Sequence, residues 1–310
     1  MESRSRHDKH GTRKKGKPKK KHTVLKIVGL IILLFVVITG VTVGKAYMDV
    51  KKASDKSYQP IKRTTQATLP SLKAKSPFSF LFLGVNGKSV NDILVLTVNP
   101  KQNKTTVVSL NRDIYLTSES TTLKELYEQK GVAGEIDALQ KLLGTEIPKY
   151  MTFDMSGLGE FVSAAGGIKV QNETHFISNG FEFKPGTLTL TNEDEVKAYL
   201  TKVGDDDNKA ESMLIEREQA VLIAIIPKLK SVNTVVKYPK FISAFRDNIK
   251  TDFVFGNIKA LGLNYHSVLG NITKENLKPT KTTIDDAEQK ILSEEQVNKA
   301  HDRIQSALSE

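Results

Sequence analysis

Three charged residues stand where strand-forming runs begin and end. Asp92 opens the apolar run Asp92–Asn99, and Arg112 and Asp113 close the phrase VVSLNRDIYL. Adjacent strands that end in a carboxylate and a guanidinium make an anion-plus-metal site, because Arg forks onto phosphate oxygens while a carboxylate holds a hard cation. The same residues also make an ordinary strand-end salt bridge, and spacing alone does not separate the two. Other chemistries find little support. Three of the six histidines lie in the first 22 residues, which leaves His175, His266 and His301 scattered singly. The absence of cysteine excludes disulfides, thiolate zinc sites and thiol nucleophiles. No Gly-x-Ser-x-Gly elbow, His-Glu-x-x-His pair or phosphate-cradling glycine loop occurs. The run Asp205-Asp206-Asp207 reads as a solvated acidic loop or as a cation site.

The elements that position these charges are short apolar runs. Phe78–Val85 and Asp92–Asn99 flank the loop NGKSVN, and Thr105–Leu110 follows the turn Asn99-Pro100-Lys101-Gln102-Asn103-Lys104. Runs this apolar, without alternation, belong to strands covered on both faces, so the expected fold is α/β: an α-β-α sandwich around a central mixed sheet. A helical stretch is expected over Thr121–Gly144, with Gly144 as its cap. A strand at Tyr150–Asp154, a helix at Gly157–Ala165 closed by Gly166-Gly167, and a strand at Ile168–Asn172 come next. Gly180–Thr191, with Pro185-Gly186 between two runs, reads as a hairpin; Glu193–Thr201 and Leu214–Leu229 read as helices. Tyr238–Glu310 reads as helical pattern with one loop around Lys278–Lys281, and places Ile284, Ile291, Leu292, Ile304 and Leu308 on one stripe.

Charge is unevenly spread over the 310 residues. Net charge is +11, but residues 1–26 hold eleven Lys and Arg against Glu2 and Asp8, leaving +2 for the rest. Composition alone would let this tail be a nucleic-acid arm. The uncharged run Ile27–Gly44, extended to Val24 if Lys26 snorkels, has the length of a bilayer span. It is longer than a signal-peptide core and no Ala-x-Ala site follows it, so it reads as an uncleaved signal anchor. The basic flank places the N-terminus in the cytoplasm and the remainder outside, and the tail then serves topology and anionic membrane lipids, with no nucleic acid expected. The resulting division is residues 1–23 as a basic cytoplasmic tail, 24–44 as the transmembrane anchor, 45–76 as a polar stalk and 77–310 as an extracellular domain.

The phrase FLFLGVNGKSVNDILVLTVNPKQNKTTVVSLNRDIYL resembles the start of the LytR-CpsA-Psr family, whose usual wording is close to LLLGVDxR and RSDTMMLLSINPKTKKVTVVSIPRDTYV. The likeness continues through ALQKLLGTEIPKYMTFDMSGLGEFVSAAGGIKV, AYLTK and IEREQAVLIAII, and spans about residues 78–229. It implies a membrane-anchored domain at the Gram-positive cell wall that binds a polyprenyl-pyrophosphate-linked glycopolymer and transfers it to peptidoglycan with assistance from Mg2+. It further implies that Asp92, Arg112 and Asp113 are catalytic, with Asp92 on the metal, and that Lys88, Arg112, Lys202, Arg217 and Gln219 hold the pyrophosphate. Asp113 would orient Arg112 or aid the acceptor.

Several positions depart from the pattern. Asn86 stands for the first family Asp and weakens the metal site. Lys88 replaces an Arg, Val90 stands where an Arg precedes Ser-Asp, Thr201-Lys202-Val203 replaces Arg-x-Arg, Leu214 replaces an Arg, and Glu218 replaces a Gln. With each charge-assisted contact worth about 1.5–3 kcal/mol, these changes weaken anion binding by several kcal/mol. Two readings follow: a transferase with a divergent site, or a polyprenyl-phosphate-binding, attenuator-type regulatory module on the same fold.

Overall fold

The computed structural model describes residues 45–229, 234–269 and 271–309; the expected tail and anchor lie outside the described residues. No helix among the described residues is long and apolar enough to cross a membrane. The centre is a six-stranded mixed sheet. Strands β1 (Phe78–Asn86), β2 (Ser89–Asn99) and β3 (Lys104–Leu110) form an antiparallel meander. Two-residue strands β4 (Tyr115–Leu116) and β5 (Thr121–Thr122) pair with each other, and β6 (Lys149–Asp154) lies parallel to β1.

Beyond β6 come β7 (Ile168–Asn172), β8 (Phe176–Ser178), β9 (Phe181–Phe183) and β10 (Gly186–Leu190) in small sheets. Then β11 (Ile249–Thr251) closes one edge of the main sheet against β6, and β12 (Ile272–Asn276) closes the other, parallel to β3. A hairpin of β13 (Thr280–Ile284) and β14 (Ala287–Ile291) precedes the last helix.

The side-chain period of two explains why the central strands look uniformly apolar. Along β1, Phe78, Phe80 and Phe82 enter one core, while Leu81, Leu83 and Val85 enter the other. Helices cover both faces. On the first face lie α1 (Lys45–Ser57) and, after α2 (Leu123–Leu143), the helices α3 (Leu158–Ala165), α4 (Glu193–Tyr199), α5 (Asp207–Leu229), α6 (Thr234–Asn248) and α7 (Phe255–Asn264). The second face is covered by α2 and α8 (Glu294–Leu308). The expected sandwich with a central mixed sheet is therefore present. Helix α2 starts with a reciprocal capping box between Thr122 and Glu125 and ends on Gly144 at φ 57, as its sequence implies. Gly131 interrupts it with φ 61 and ψ −158.

Three expectations are corrected. Gly180–Thr191 is not a hairpin: β9 pairs back with β8, and β10 pairs with β7, so Pro185-Gly186 joins two different sheets. The region after Tyr238 is not all helix, since it contains β11, β12 and the β13–β14 hairpin, whose turn sets Asp285 and Asp286 at positive φ. Ile284 and Ile291 therefore sit on strands and Leu292 precedes α8, so they do not continue the stripe of Ile304 and Leu308. Strand β11 is only three residues long, β12 to β14 are short and half-exposed, and polar segments such as ITKEN carry no apolar period.

Residues 45–76, read as a stalk, are built into the body. Val50 and Ala53 of α1 are 3 % and 2 % exposed in the main core. Arg63 donates to the carbonyl of Ile147 at 2.8 Å and to Asp252 at 2.5 Å, and the hydroxyls of Thr64 and Thr65 donate to Asp137. The segment is fastened by a few scattered apolar residues, Leu72 among them, and by these polar contacts, which together leave no periodic signal in its sequence.

Candidate functional site

Strand β3 stops at Leu110, and the turn that follows is tied down by helix α2: the amide of Lys124 donates to the carbonyl of Arg112 at 2.8 Å, and that of Leu123 to Ile114 at 2.9 Å. This fixes Arg112 at the edge of a cleft of about 640 Å³ between the β3 end, the start of β2, the first turns of α5 and the β14 hairpin. Asp92, one strand over, pairs with Gly84 across β1, next to a shift of register between Gly84 and Val85. A Cβ on Gly84 would lie 2.9 Å from Asp92 Oδ2, so the glycine in FLGVN makes room for this carboxylate.

Arg112 is held on several sides. Its Nη1 donates to Asn91 Oδ1 at 2.8 Å and to the Val90 carbonyl at 3.4 Å, its Nη2 donates to Glu211 Oε1 at 2.5 Å, and its Nε lies 3.9 Å from Asp113 Oδ1. Asn91 in turn donates to Glu218 Oε2 at 3.0 Å. Glu218 is 2 % exposed, and burial pushes its carboxyl up to about 7, with the Asp92 charge adding to the rise and the Asn91 hydrogen bond opposing it. Asp113 accepts from Lys290 Nζ at 2.7 Å. On β12, burial brings the Lys274 ammonium down to about 8, against the attraction of Asp92.

Of the residues expected from sequence, the structure brings Asp92, Arg112 and Asp113 into one cleft. Lys88, Lys202 and Arg217 do not line it. Arg217 is 7 % exposed; it donates to the carbonyls of Thr201 at 2.9 Å and Met213 at 3.3 Å, and stacks over Phe176 at 4.4 Å. Its guanidinium borders two smaller cavities of about 320 and 340 Å³ instead. Lys202 is exposed and acts on the site through its charge, which helps to lower the Glu211 carboxyl. The Gln219 side chain lies outside the described residues, and Asp205 and Asp206 are exposed.

Sequence reasoning missed Asn91, Glu211, Lys124, Lys290 and Lys274, which reach the site from five different elements. The cleft is lined by three cations (Arg112, Lys124, Lys290) and three carboxylates (Asp92, Asp113, Glu211), so it offers paired charge rather than a net positive funnel. No group of three or more His, Asp or Glu set to hold a metal occurs among the described residues. Asp92 supplies one buried carboxylate, a donor set that suits a magnesium ion whose other ligands are substrate phosphates and water.

A teichoic acid–peptidoglycan transferase, TagU of Enterococcus faecalis, is 30 % identical over 296 residues, covering 91 % of this chain and 96 % of its own length. Among solved structures, one described as a transcriptional regulator from Enterococcus faecalis superposes with a TM-score of 0.60 at 28 % identity, covering 77 % of this chain and 90 % of that one. The crystal structure of Bacillus subtilis TagU gives 0.52 at 26 % identity, over 76 % of this chain and 98 % of that one. The LytR_cpsA_psr family pattern matches residues 44–306, which takes in α1, both sheet edges and most of α8 as well as the strand-end cleft. Helix α1, the mixed sheet and the cleft at Arg112 thus form one family domain, and the chain belongs to the LytR_cpsA_psr family.

Proposed function

We propose that this chain is a membrane-anchored cell-envelope transferase that attaches a polyprenyl-pyrophosphate-linked glycopolymer, of teichoic-acid or capsule type, to peptidoglycan by phosphoryl transfer. The observation that carries this reading is Arg112, fixed at the end of β3 in a charged cleft beside Asp92, in a chain that aligns with nearly the whole of a TagU transferase. The cleft's cations suit a pyrophosphate, whose charge must be offset while the acceptor hydroxyl attacks phosphorus, the bond to the lipid phosphate breaks and the hydroxyl proton departs. Asp92 would hold a Mg2+ together with the substrate oxygens, and that ion would add to the charge neutralisation. Asp113, beside Arg112 Nε, orients the guanidinium or receives the acceptor proton. The uncharged run Ile27–Gly44 behind a basic flank supports single-pass anchoring with the domain outside the cell.

Two observations favour the regulatory reading. The described cleft balances its cations with carboxylates, and the solved Enterococcus faecalis relative is described as a transcriptional regulator. A single assay separates the two. Full-length chain in detergent is incubated with lipid-pyrophosphate glycan, a muropeptide acceptor and Mg2+. Linked glycan–muropeptide is expected, and Arg112→Ala is expected to lower its rate about a hundredfold. Lipid capture without product refutes transfer and leaves the binding module; unchanged capture by Arg112→Ala refutes the site.

A further inference from the structure

The acceptors around Arg112 are not equally replaceable. Val90 offers a backbone carbonyl of β2. Asn91 is clamped from behind by the buried Glu218, and Asp113 is engaged by Lys290. Glu211 is different. Its side chain is 35 % exposed, and it makes its hydrogen bond to Arg112 Nη2 from the first turns of α5, on the wall of the cleft. The Arg112 hydrogen bond holds its carboxyl below the usual range, and Lys124 and Lys202 act in the same sense, so two further cations stand near it. A carboxylate on one edge of a guanidinium occupies the position that a phosphate would take, since both present paired oxygens to the same fork.

We propose that Glu211 is an internal ligand of the phosphate site: its carboxylate covers the Nη2 edge of Arg112 until a pyrophosphate displaces it, and this exchange decides which anions the cleft admits. The inference rests on the reading of the cleft as a pyrophosphate site. A displaced Glu211 has Lys124 and Lys202 to turn to, while Asn91 and Val90 keep Nη1 in place. The incoming anion must outbid a carboxylate already seated. A pyrophosphate reaches Arg112 and the lysines of the cleft together, whereas a single phosphate offers fewer oxygens for the same displacement. Glu211 is therefore a specificity-determining residue.

Calorimetric titration of the full-length chain in detergent with inorganic pyrophosphate and with inorganic phosphate, at fixed ionic strength in magnesium buffer, tests this. Glu211→Gln keeps the size and removes the charge. It is expected to tighten pyrophosphate binding about tenfold, the scale of one charge-assisted contact, and to tighten phosphate binding more, so that selectivity between the two falls. Glu211→Ala is expected to move both in the same direction. Equal or weaker pyrophosphate binding by both variants, at unchanged thermal midpoint, overturns the proposal and makes Glu211 a positioning residue. Arg112→Ala separates this from failure of the site itself. If it abolishes binding while the Glu211 variants bind no tighter, only the exchange is refuted. If it binds like wild type, or if no protein binds pyrophosphate, site and exchange fall together.

Discussion

Glu135 of α2 is fully buried, and neither of its carboxylate oxygens has a hydrogen-bond partner among the described residues. Burial pushes it up to about 8. A carboxyl whose folded pKa is raised stabilises the fold most below its unfolded value near 4.5, and that contribution is lost as pH rises toward 8. Unfolding free energy should therefore fall from about pH 5 to pH 8 with a slope of up to about 1.4 kcal/mol per pH unit from this residue. Glu135→Gln should flatten the decline, and denaturant titrations at several pH values measure it; an unchanged slope would show that Glu135 is not the source. Single residues at the site differ in how much the sequence reveals of them. Asp92, Arg112 and Asp113 are legible because they flank apolar runs, Asp92 as the fourth residue of β2 just before its apolar stretch and the other two just past the end of β3, and such runs are set by local pattern. Glu211 and Lys274 are not, because each lies about a hundred residues or more from the strand ends it meets and has no local signal of its own.

At the scale of elements, α1 is the clearest departure from a reading by composition. Its described buried positions, Val50, Ala53, Ser54 and Ser57, form a helical stripe half of which is serine, on a helix otherwise rich in Lys and Asp, so it does not stand out from a polar linker. Val50→Asp is expected to destabilise the chain by about 3 kcal/mol or more, because it places an unpaired charge in the core. Chemical unfolding measures this, and a free stalk would show no change. The three-strand meander and α2 were legible for the opposite reason. Apolar runs bounded by turn residues, and a Thr-x-x-Glu box with a terminal glycine, are complete within a few residues. The misread hairpin at Pro185-Gly186 shows the limit. Turn chemistry there is correct, but pairing depends on partners at β7 and β8 that lie outside the window.

At the scale of the whole molecule, residues 1–26 carry +9 and the remaining residues +2, a separation that the proposed anchoring reads as a topology signal. Trypsin added to intact cells is expected to degrade the domain while sparing the N-terminal tail; protection of the domain would contradict the outward orientation. The sequence by itself determined the layered α/β class, the central meander, the strand-end charges and the family resemblance, because strand period, caps and a conspicuous motif are local properties of the chain. Only the tertiary structure decided that residues 45–76 belong to the body and that Arg217 borders other cavities than the Arg112 cleft. It alone set Glu211 on the guanidinium of Arg112, because contacts between α5 and the turn after β3 depend on packing across the sheet edge, which no local pattern encodes.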